Sequence, residues 1–155
     1  MIRTAVNADL PRLKELMQLL HDKSPYGHIE IEWPLVDQMM MQAMNHAAVF
    51  VHERRGKIGG FIICGLKPLW WNPRFKIGTD VFFMPGNREA GAELLGSLCG
   101  WCYRHKVMRI ECGISSFTRL EDIQSIYLSA GFKREGSLFV HSFMRDSVCP
   151  VSSTM

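Results

Sequence analysis

The sequence lacks any apolar run of the roughly 20 residues that a membrane-spanning helix needs, and no hydrophobic signal segment opens the chain. It also lacks repeats, low-complexity tracts and long blocks of like charge. The formal net charge of +3 is small and scattered, which argues against nucleic acid as a partner. We therefore expect a cytoplasmic protein that binds neither nucleic acid nor membrane.

The cysteines do not have the pattern of a disulfide framework or of a zinc site. Their number, five, is odd, and most of them lie inside apolar runs, which is typical of buried thiols in a reducing compartment. Cys99 and Cys102 have the spacing of half a zinc site, but a second pair is missing and both fall on a predicted helix. We therefore predict no metal.

The chain contains enough apolar sequence for one core. At 155 residues and a hydrophobic fraction of 47%, it fits a single domain, which we place at residues 1–145, followed by a polar tail at 146–155 that we expect to be disordered. Hydrophobic periodicity predicts the element order βααβββαβαββ, and therefore an α/β (α+β) fold with a mixed sheet and helices on both faces. The closing elements of that order are a strand at Val107–Ile114, a helix that starts at Ser115, Ser116 or Thr118 and stops at Gly131, and strands at Phe132–Glu135 and Leu138–Met144.

A strand, a turn and a helix between Lys76 and Cys102 organise the rest of the chain. Gly86 and Gly91 allow the backbone to bend and to approach a ligand closely. The start of the helix offers free N–H groups and the positive end of the helix dipole, and Arg88 is placed to pair with a phosphate. A plain strand-to-helix turn also favours Gly and Pro, and neither the P-loop nor the dinucleotide fingerprint is matched. We interpret the turn as a pyrophosphate site for a nucleotide-like cofactor.

Two motifs resemble the GNAT superfamily of acyl-CoA-dependent N-acyltransferases, and the element order is similar over nearly the whole chain. The turn Arg88–Glu93 resembles the family's pyrophosphate loop, Arg/Gln-x-x-Gly-x-Gly/Ala, and Ile126–Phe132 resembles its LYxxxGF motif. The sequence departs from the family at Glu93, where a small residue is usual, and at Leu120, where an asparagine is often found. The resemblance implies a GNAT-like central mixed, mostly antiparallel sheet flanked by helices on both faces.

The resemblance also implies an activity, the transfer of an acetyl group from acetyl-CoA (coenzyme A) to a primary amine by direct attack. The amine is that of a small cationic acceptor, or a lysine or N-terminal amine. Tyr127 matches the family tyrosine that faces the thioester sulfur and is the candidate general acid; the alternative is a core tyrosine with a satisfied hydroxyl. The implied cofactor-binding residues lie on the central strand and in the turn: Phe82, Phe83, Met84, Arg88, Glu89, Ala90, Gly91 and Ala92.

Asp80 is the first candidate for the general base, and the next choice is the loop after the first helix, with His28, Glu30 and Glu32. Alternation along a strand places its side chain on the same side as Phe82 and Met84. A carboxylate in an apolar strand is costly unless it is paired or functional, and the alternative to a base is an ion pair with a neighbouring Arg or Lys.

The acceptor site is predicted from a loop after the first helix, which by resemblance forms one of its walls. His28, Glu30 and Glu32 lie in that loop, and carboxylates there would suit a cationic amine. A second loop, Lys67–Pro73, holds Trp70 and Trp71, and we expect one tryptophan to pack inward while the other covers the site or a partner. Trp70 is the residue we assign to an aromatic wall for the amine.

A different class of function is a non-catalytic interaction module on the same fold. Glu93 in the turn and the adjacent Trp70 and Trp71 favour this alternative. The resemblance also makes a homodimer plausible, since many such folds pair through their last strands.

Overall fold

The computed structural model describes residues 1–113 and 120–136, which form one five-stranded sheet with helices on both faces. The strands follow the sheet in chain order: β1 (Ile2–Thr4), β2 (Ala48–Arg54), β3 (Lys57–Leu69), β4 (Asn72–Met84) and β5 (Arg109–Glu111). The first four pair antiparallel, and β5 joins β4 in parallel. The helices are α1 (Leu10–His21), α2 (Trp33–His46), α3 (Arg88–Arg104) and α4 (Leu120–Ser129). The predicted mixed, mostly antiparallel sheet is confirmed.

Each face of the sheet carries its own apolar core, because the central strands are buried on both sides. Along β2 the side chains of Ala48 and Phe50 enter one core, and those of Val49 and Val51 enter the other. The first core packs against α3 and α4 through Leu94, Leu95, Leu98 and Ile126. The second core packs against α1 and α2 through Leu13, Leu16, Met17 and Met40. Among the described residues, no helix is both long and apolar enough to cross a bilayer.

The predicted loop at Lys67–Pro73 is instead the end of a long hairpin. Strand β3 continues to Leu69 and β4 begins at Asn72, so that only Trp70 and Trp71 form the connection. Antiparallel neighbours can be joined by so short a turn. Pro68 is tolerated in β3 because it lies past Cys64, the last residue of that strand with a partner on β2.

The prediction that one tryptophan packs inward is wrong, because both side chains lie at the tip of this hairpin. Trp70 is 83% exposed and Trp71 67% exposed. Their rings meet edge to face at 5.5 Å between centroids.

The predicted strand at Phe132–Glu135 is also wrong, since residues 132–136 have no regular secondary structure. The reason is the end of α4. Gly131 takes the left-handed conformation, with φ of +85°, and the N–H of Phe132 donates to the carbonyl of Tyr127. This is the Schellman arrangement that ends many helices, and it confirms the predicted cap at Gly131. The predicted start of this helix at 115–118, the strand Leu138–Met144 and the tail 146–155 lie outside the described residues.

An ion-pair network ties β1 to the start of α1. The guanidinium of Arg3 donates to both carboxylate oxygens of Asp9, at 2.6 and 2.9 Å, and to Glu53 at 2.7 Å. Asp9 is buried and also accepts the N–H of Val6. The hydrogen bonds from Arg3 lower the pKa of the Asp9 carboxyl.

We predict that Asp9→Ala lowers the free energy of unfolding by about 2 kcal/mol, because it leaves the amide and the guanidinium without their shared acceptor. The lowered pKa means that the native carboxylate holds its proton less tightly than the unfolded one. The stabilisation is therefore present above about pH 4 and is lost as the pH falls. Urea unfolding at pH 7 and pH 3 checks both points. Glu15→Ala, which breaks the exposed Arg12–Glu15 pair, is the control and should change stability by less than about 0.5 kcal/mol. An equal effect of the two variants at pH 7 would contradict the prediction.

Candidate functional site

A β-bulge in β4 determines where its side chains point. Asp80 pairs with Cys64 and Phe82 pairs with Ile63, which leaves Val81 as an extra residue without a partner on β3. The bulge interrupts the alternation of side chains between the two faces of the sheet.

As a result, Asp80 does not share a face with Phe82 and Met84, and that prediction is wrong. Phe82 and Met84 pack against the core beneath α1 and α2. Phe83 belongs to the core on the other face, where the carboxylate of Asp80 reaches Tyr127 of α4. The rule of alternation holds only for a strand without an inserted residue.

Strands β4 and β5 part at Asp80. Their last paired residues are Thr79 and Glu111, so that from Asp80 to Met84 the described structure places no strand on the outer side of β4. On its inner side this stretch remains paired with β3. Alternate residues of a strand direct their N–H and C=O groups away from the neighbour, so that some of these groups face the gap and can bind an extended ligand. The predicted residues Phe82, Phe83 and Met84 all lie along this edge.

Half-buried Asp80 and buried Tyr127 form a pair where the two strands part. The phenol of Tyr127 donates to Asp80 Oδ2 at 2.9 Å, and the N–H of Gly113 donates to Asp80 Oδ1 at 3.0 Å. The ring of Tyr127 lies 5.4 Å from those of Phe83 and Phe132, measured between centroids. Among the described residues, the partners of Asp80 are thus a phenol and an amide, and the alternative of an ion pair with Arg or Lys is not observed.

Burial governs the protonation of this pair. It raises the pKa of Asp80, although the N–H of Gly113 and the phenol of Tyr127 both stabilise the carboxylate. Burial, together with the nearby charge of Asp80, raises the pKa of Tyr127. Burial likewise raises the pKa of the adjacent Cys112 thiol to about 12. Tyr127 and Cys112 therefore hold their protons at neutral pH.

Two contacts, one with β3 and one at the start of α3, fix the turn between β4 and α3. Gly86 has φ of +70° and lies against the backbone of Gly59. The side chain of Asn87 accepts the N–H of Ala90 at 2.9 Å and caps the helix. The first two amides of α3, at Arg88 and Glu89, have no acceptor within the helix, so that they and the helix dipole are available to an anion.

The five predicted residues at the start of α3 do not all face solvent. Arg88, Glu89 and Ala92 are exposed, whereas Ala90 and Gly91 are buried. The N–H of Ala90 is taken by Asn87, and that of Gly91 by the carbonyl of Asn87. A side chain at Gly91 would meet Pro85 and Ile126, so its absence allows the turn and α4 to pack together.

Glu93 lies on the side of α3 that faces β2. Its carboxylate is 4.0 Å from His52 Nε2. It also lines a cleft of about 540 Å³ between β1 and α3, together with Ser97 and Arg104. The departure from the family motif at this position therefore does not direct a carboxylate into the turn.

Among the described residues, the hydrogen-bond partners of Asp80 and Tyr127 do not include the predicted acceptor residues. His28, Glu30 and Glu32 are exposed in the connection between α1 and α2. Trp70 lies six residues past Cys64, the partner of Asp80, which at about 3.3 Å per strand residue is roughly 20 Å along β3.

Solved structures with a similar architecture include several acetyltransferases. Glucosamine-6-phosphate N-acetyltransferase from Arabidopsis thaliana is 15% identical with a TM-score of 0.69, over 93% of this chain and 98% of that one. An aminoglycoside acetyltransferase from an uncultured soil metagenomic sample, solved with trehalose, is 12% identical with a TM-score of 0.67, over 93% and 96%. A predicted acetyltransferase from Clostridium acetobutylicum, solved with acetyl-CoA, is 16% identical with a TM-score of 0.64, over 92% and 95%.

The chain has the GNAT fold. No protein-family model matches it, and no curated protein matches it in sequence. At these identities the likeness establishes the architecture, and the chemistry has to be argued from the residues of this chain.

The residues of this GNAT fold suit an acyl-CoA in two places. The exposed guanidinium of Arg88 and the free amides of Arg88 and Glu89 form a donor set for a pyrophosphate. The outer edge of β4 from Asp80 to Met84, which has no partner strand among the described residues, offers main-chain partners for an extended arm. The two places are continuous, because β4 runs through Pro85 and Gly86 directly into α3.

Three residues of the site were missed by the sequence analysis. Asn87 had a readable signal, since asparagine before a helical run is a preferred N-cap. Gly113 and Cys112 had none. They reach Asp80 and Tyr127 only because β5 pairs with β4, and no local sequence pattern predicts that pairing.

Proposed function

We propose that this protein is an N-acetyltransferase that transfers an acetyl group from acetyl-CoA to a primary amine by direct attack. One observation carries the proposal. Asp80, hydrogen-bonded to the buried Tyr127, lies where β4 leaves β5, on the strand that leads directly into the first amides of α3. A proton-holding pair and an anion site are thereby joined by a strand edge that has no partner strand within residues 1–113 and 120–136. The similarity to acetyltransferases, one of them solved with acetyl-CoA, supports the same activity.

Each part of the chain has a task in this proposal. Acetyl-CoA supplies an activated thioester carbonyl. Arg88 and the first amides of α3 hold its pyrophosphate, and the edge at Phe82–Met84 aligns its arm and acyl carbonyl. Tyr127 holds the proton that the departing thiolate requires, and Asp80 is the proton acceptor.

Calorimetry with CoA tests the cofactor site. We predict that Arg88→Glu weakens CoA binding at least tenfold, which corresponds to about 1.4 kcal/mol, because it replaces a phosphate partner with a like charge. The matched control is Arg104→Glu, the same charge reversal at the opposite end of the same helix. The control should bind CoA as the wild type does.

Two results would count against this site. Equal losses in the two variants would indicate a general electrostatic effect of net charge. No heat from the wild type with CoA at millimolar concentration would overturn the proposed function.

The acceptor remains a prediction, either a small cationic amine or a lysine or N-terminal amine. The exposed carboxylates of Glu30 and Glu32, with His28 beside them, favour a cation. The Arabidopsis protein with a similar fold is named for a sugar amine, which makes amino sugars a further class to include. A panel of amines, with acetyl-CoA and a free-thiol readout, tests the prediction. Activity confined to neutral or anionic acceptors would contradict it.

The exposed pair Trp70–Trp71 favours a second candidate, an interaction module on the same fold. Such a module predicts that a partner protein co-purifies and that Tyr127→Phe changes nothing measurable. A strong loss of acetylation in that variant would exclude it.

The cellular setting is part of the proposal. Cys64, Cys99, Cys102 and Cys112 are free thiols, as expected in the reducing cytoplasm. A homodimer, and the lack of nucleic-acid and membrane partners, stay predictions. Sedimentation and fractionation of cell extracts test them.

A further inference from the structure

The hydroxyl proton of Tyr127 points at a carboxylate. Its hydrogen bond to Asp80 Oδ2 is 2.9 Å long, and the side chain of Tyr127 is only 7% exposed. The ring packs against Phe83 and Phe132, which fixes the position of the phenol oxygen beside Asp80. A tyrosine that acts alone as an acid needs its proton directed at the group that receives it.

The same contact makes proton release by Tyr127 alone unfavourable. Loss of the proton would leave a phenolate beside the carboxylate of Asp80 in a partly buried site, and like charges at hydrogen-bond distance resist ionisation. This obstacle disappears if Asp80 is protonated at the moment of release. Asp80 can then return a proton to the phenolate across the existing hydrogen bond.

We propose that Asp80 and Tyr127 act as a two-member proton relay, in which Asp80 takes up the proton of the attacking amine and Tyr127 delivers one to the departing thiolate. This inference rests on the proposed function. It differs from assigning an independent base and an independent acid, because neither residue completes its task without the other.

The relay balances. A C–N bond forms and the C–S bond of the thioester breaks. The nitrogen loses one proton to Asp80, the sulfur gains one from Tyr127, and the proton on Asp80 moves to the phenolate oxygen. The products are an amide and a free thiol, and both side chains return to their starting states. No oxidant, reductant or further reactant is needed.

The surroundings keep the relay in one arrangement. Gly113 N–H holds Asp80 Oδ1, so that Oδ2 stays with Tyr127. The other titratable groups that face the pair from the described elements are the thiols of Cys112 and Cys64. Burial and the charge of Asp80 keep the pKa of Cys112 at about 12, and the pKa of the buried Cys64 thiol is raised as well. Both thiols are uncharged at neutral pH and do not compete for the proton.

Asp80→Asn separates the relay from a tyrosine that acts alone. Asparagine has the same shape. Its carbonyl can accept the N–H of Gly113, and its amide can donate to the oxygen of Tyr127, so no buried polar group is left unsatisfied. In that variant the phenol no longer donates its hydrogen bond to a carboxylate at residue 80. A lone tyrosine would then keep or improve its action as an acid, whereas a relay would be interrupted.

We expect Asp80→Asn and Tyr127→Phe each to lower kcat by about 10²- to 10⁴-fold, the usual range for a lost proton-transfer group. The double variant should be no slower than the slower single variant, because members of one unit are not additive. Multiplied effects in the double variant, or an active Asp80→Asn protein, would overturn the relay. Tyr103→Phe, which alters a phenol that is 86% exposed on α3, is the control and should leave kcat unchanged.

A second readout needs neither coenzyme nor turnover. Carbon NMR of the labelled aspartates in the free protein follows the titration of Asp80, whose resonance is identified by its loss in Asp80→Asn. The bond from Tyr127 stabilises the carboxylate, so Tyr127→Phe should move the titration midpoint of Asp80 to higher pH. An unchanged midpoint would show that the two groups are not coupled, and would overturn the relay.

These outcomes distinguish the relay from the proposed function. Both variants should bind CoA as the wild type does, since neither residue lies at the turn. A wild-type protein that acetylates amines but shows independent effects of Asp80 and Tyr127 retains the function and excludes the relay. A wild-type protein that binds no CoA excludes both.

Discussion

Gly86→Ala should lower the free energy of unfolding by about 3 kcal/mol or more, and the melting temperature by roughly 6–12 °C for a chain of this size. Two costs combine. Gly86 has φ of +70°, a conformation that costs a residue with a side chain about 1–2 kcal/mol. A Cβ atom there would also lie 2.6 Å from the carbonyl oxygen of Gly59, which is backbone and cannot turn aside.

The turn should lose its function together with its stability, because relief of that contact moves the start of α3 away from β3. Urea unfolding and CoA calorimetry measure the two effects. Gly96→Ala is the control, a glycine inside α3 with nothing within 4 Å of the added methyl group. It should gain up to about 1 kcal/mol from helix propensity. A Gly86→Ala protein as stable as the wild type would show that the turn can adopt another backbone path.

Gly91→Val should destabilise the protein by about 3 kcal/mol and reduce kcat by about a hundredfold. Its Cβ would lie 2.7 Å from the Cβ of Pro85 and 3.1 Å from the Cδ1 of Ile126. Ile126 precedes Tyr127 on α4, so the collision pushes that helix, and the phenol, away from Asp80. A displacement of about 1 Å at a reacting group is enough for a loss of this size.

Gly96→Val is the matched control for this substitution, since it makes the same change on the same helix at a position where nothing lies within 4 Å of the added Cβ. It should change stability by only a few tenths of a kcal/mol. Thermal unfolding and steady-state kinetics compare the two variants. Equal effects would mean that helix propensity, and not the contact with α4, explains the loss.

The sequence was informative where a local rule applies. Apolar periodicity located four helices and the order of the strands through the sheet, because burial of one face repeats at a fixed interval. Gly131 marked the end of α4, since few other residues adopt its φ of +85° without cost. Gly86 marked the turn at the start of α3 for a similar reason, since its φ is +70°.

The sequence was misleading where a contact overrides a local rule. The bulge at Val81 reversed the face expected for Asp80, because one inserted residue changes the parity of everything beyond it. The lack of a side chain at Gly91 was interpreted as space for a ligand, but the structure fills that space with Pro85 and Ile126. Phe132 was interpreted as the start of a strand and packs on Tyr127 in the cap of α4.

The amino-acid sequence by itself determined the helices and strands, their order, and the turn that leads into α3, because spacing, capping and conformational preference act between neighbours in the chain. Only the tertiary structure decided that Asp80 forms a hydrogen bond with Tyr127, 47 residues later, and that the N–H of Gly113 donates to the same carboxylate. That meeting depends on one bulge and on where β5 leaves β4, and it results from the packing of distant segments, which no short stretch of residues encodes.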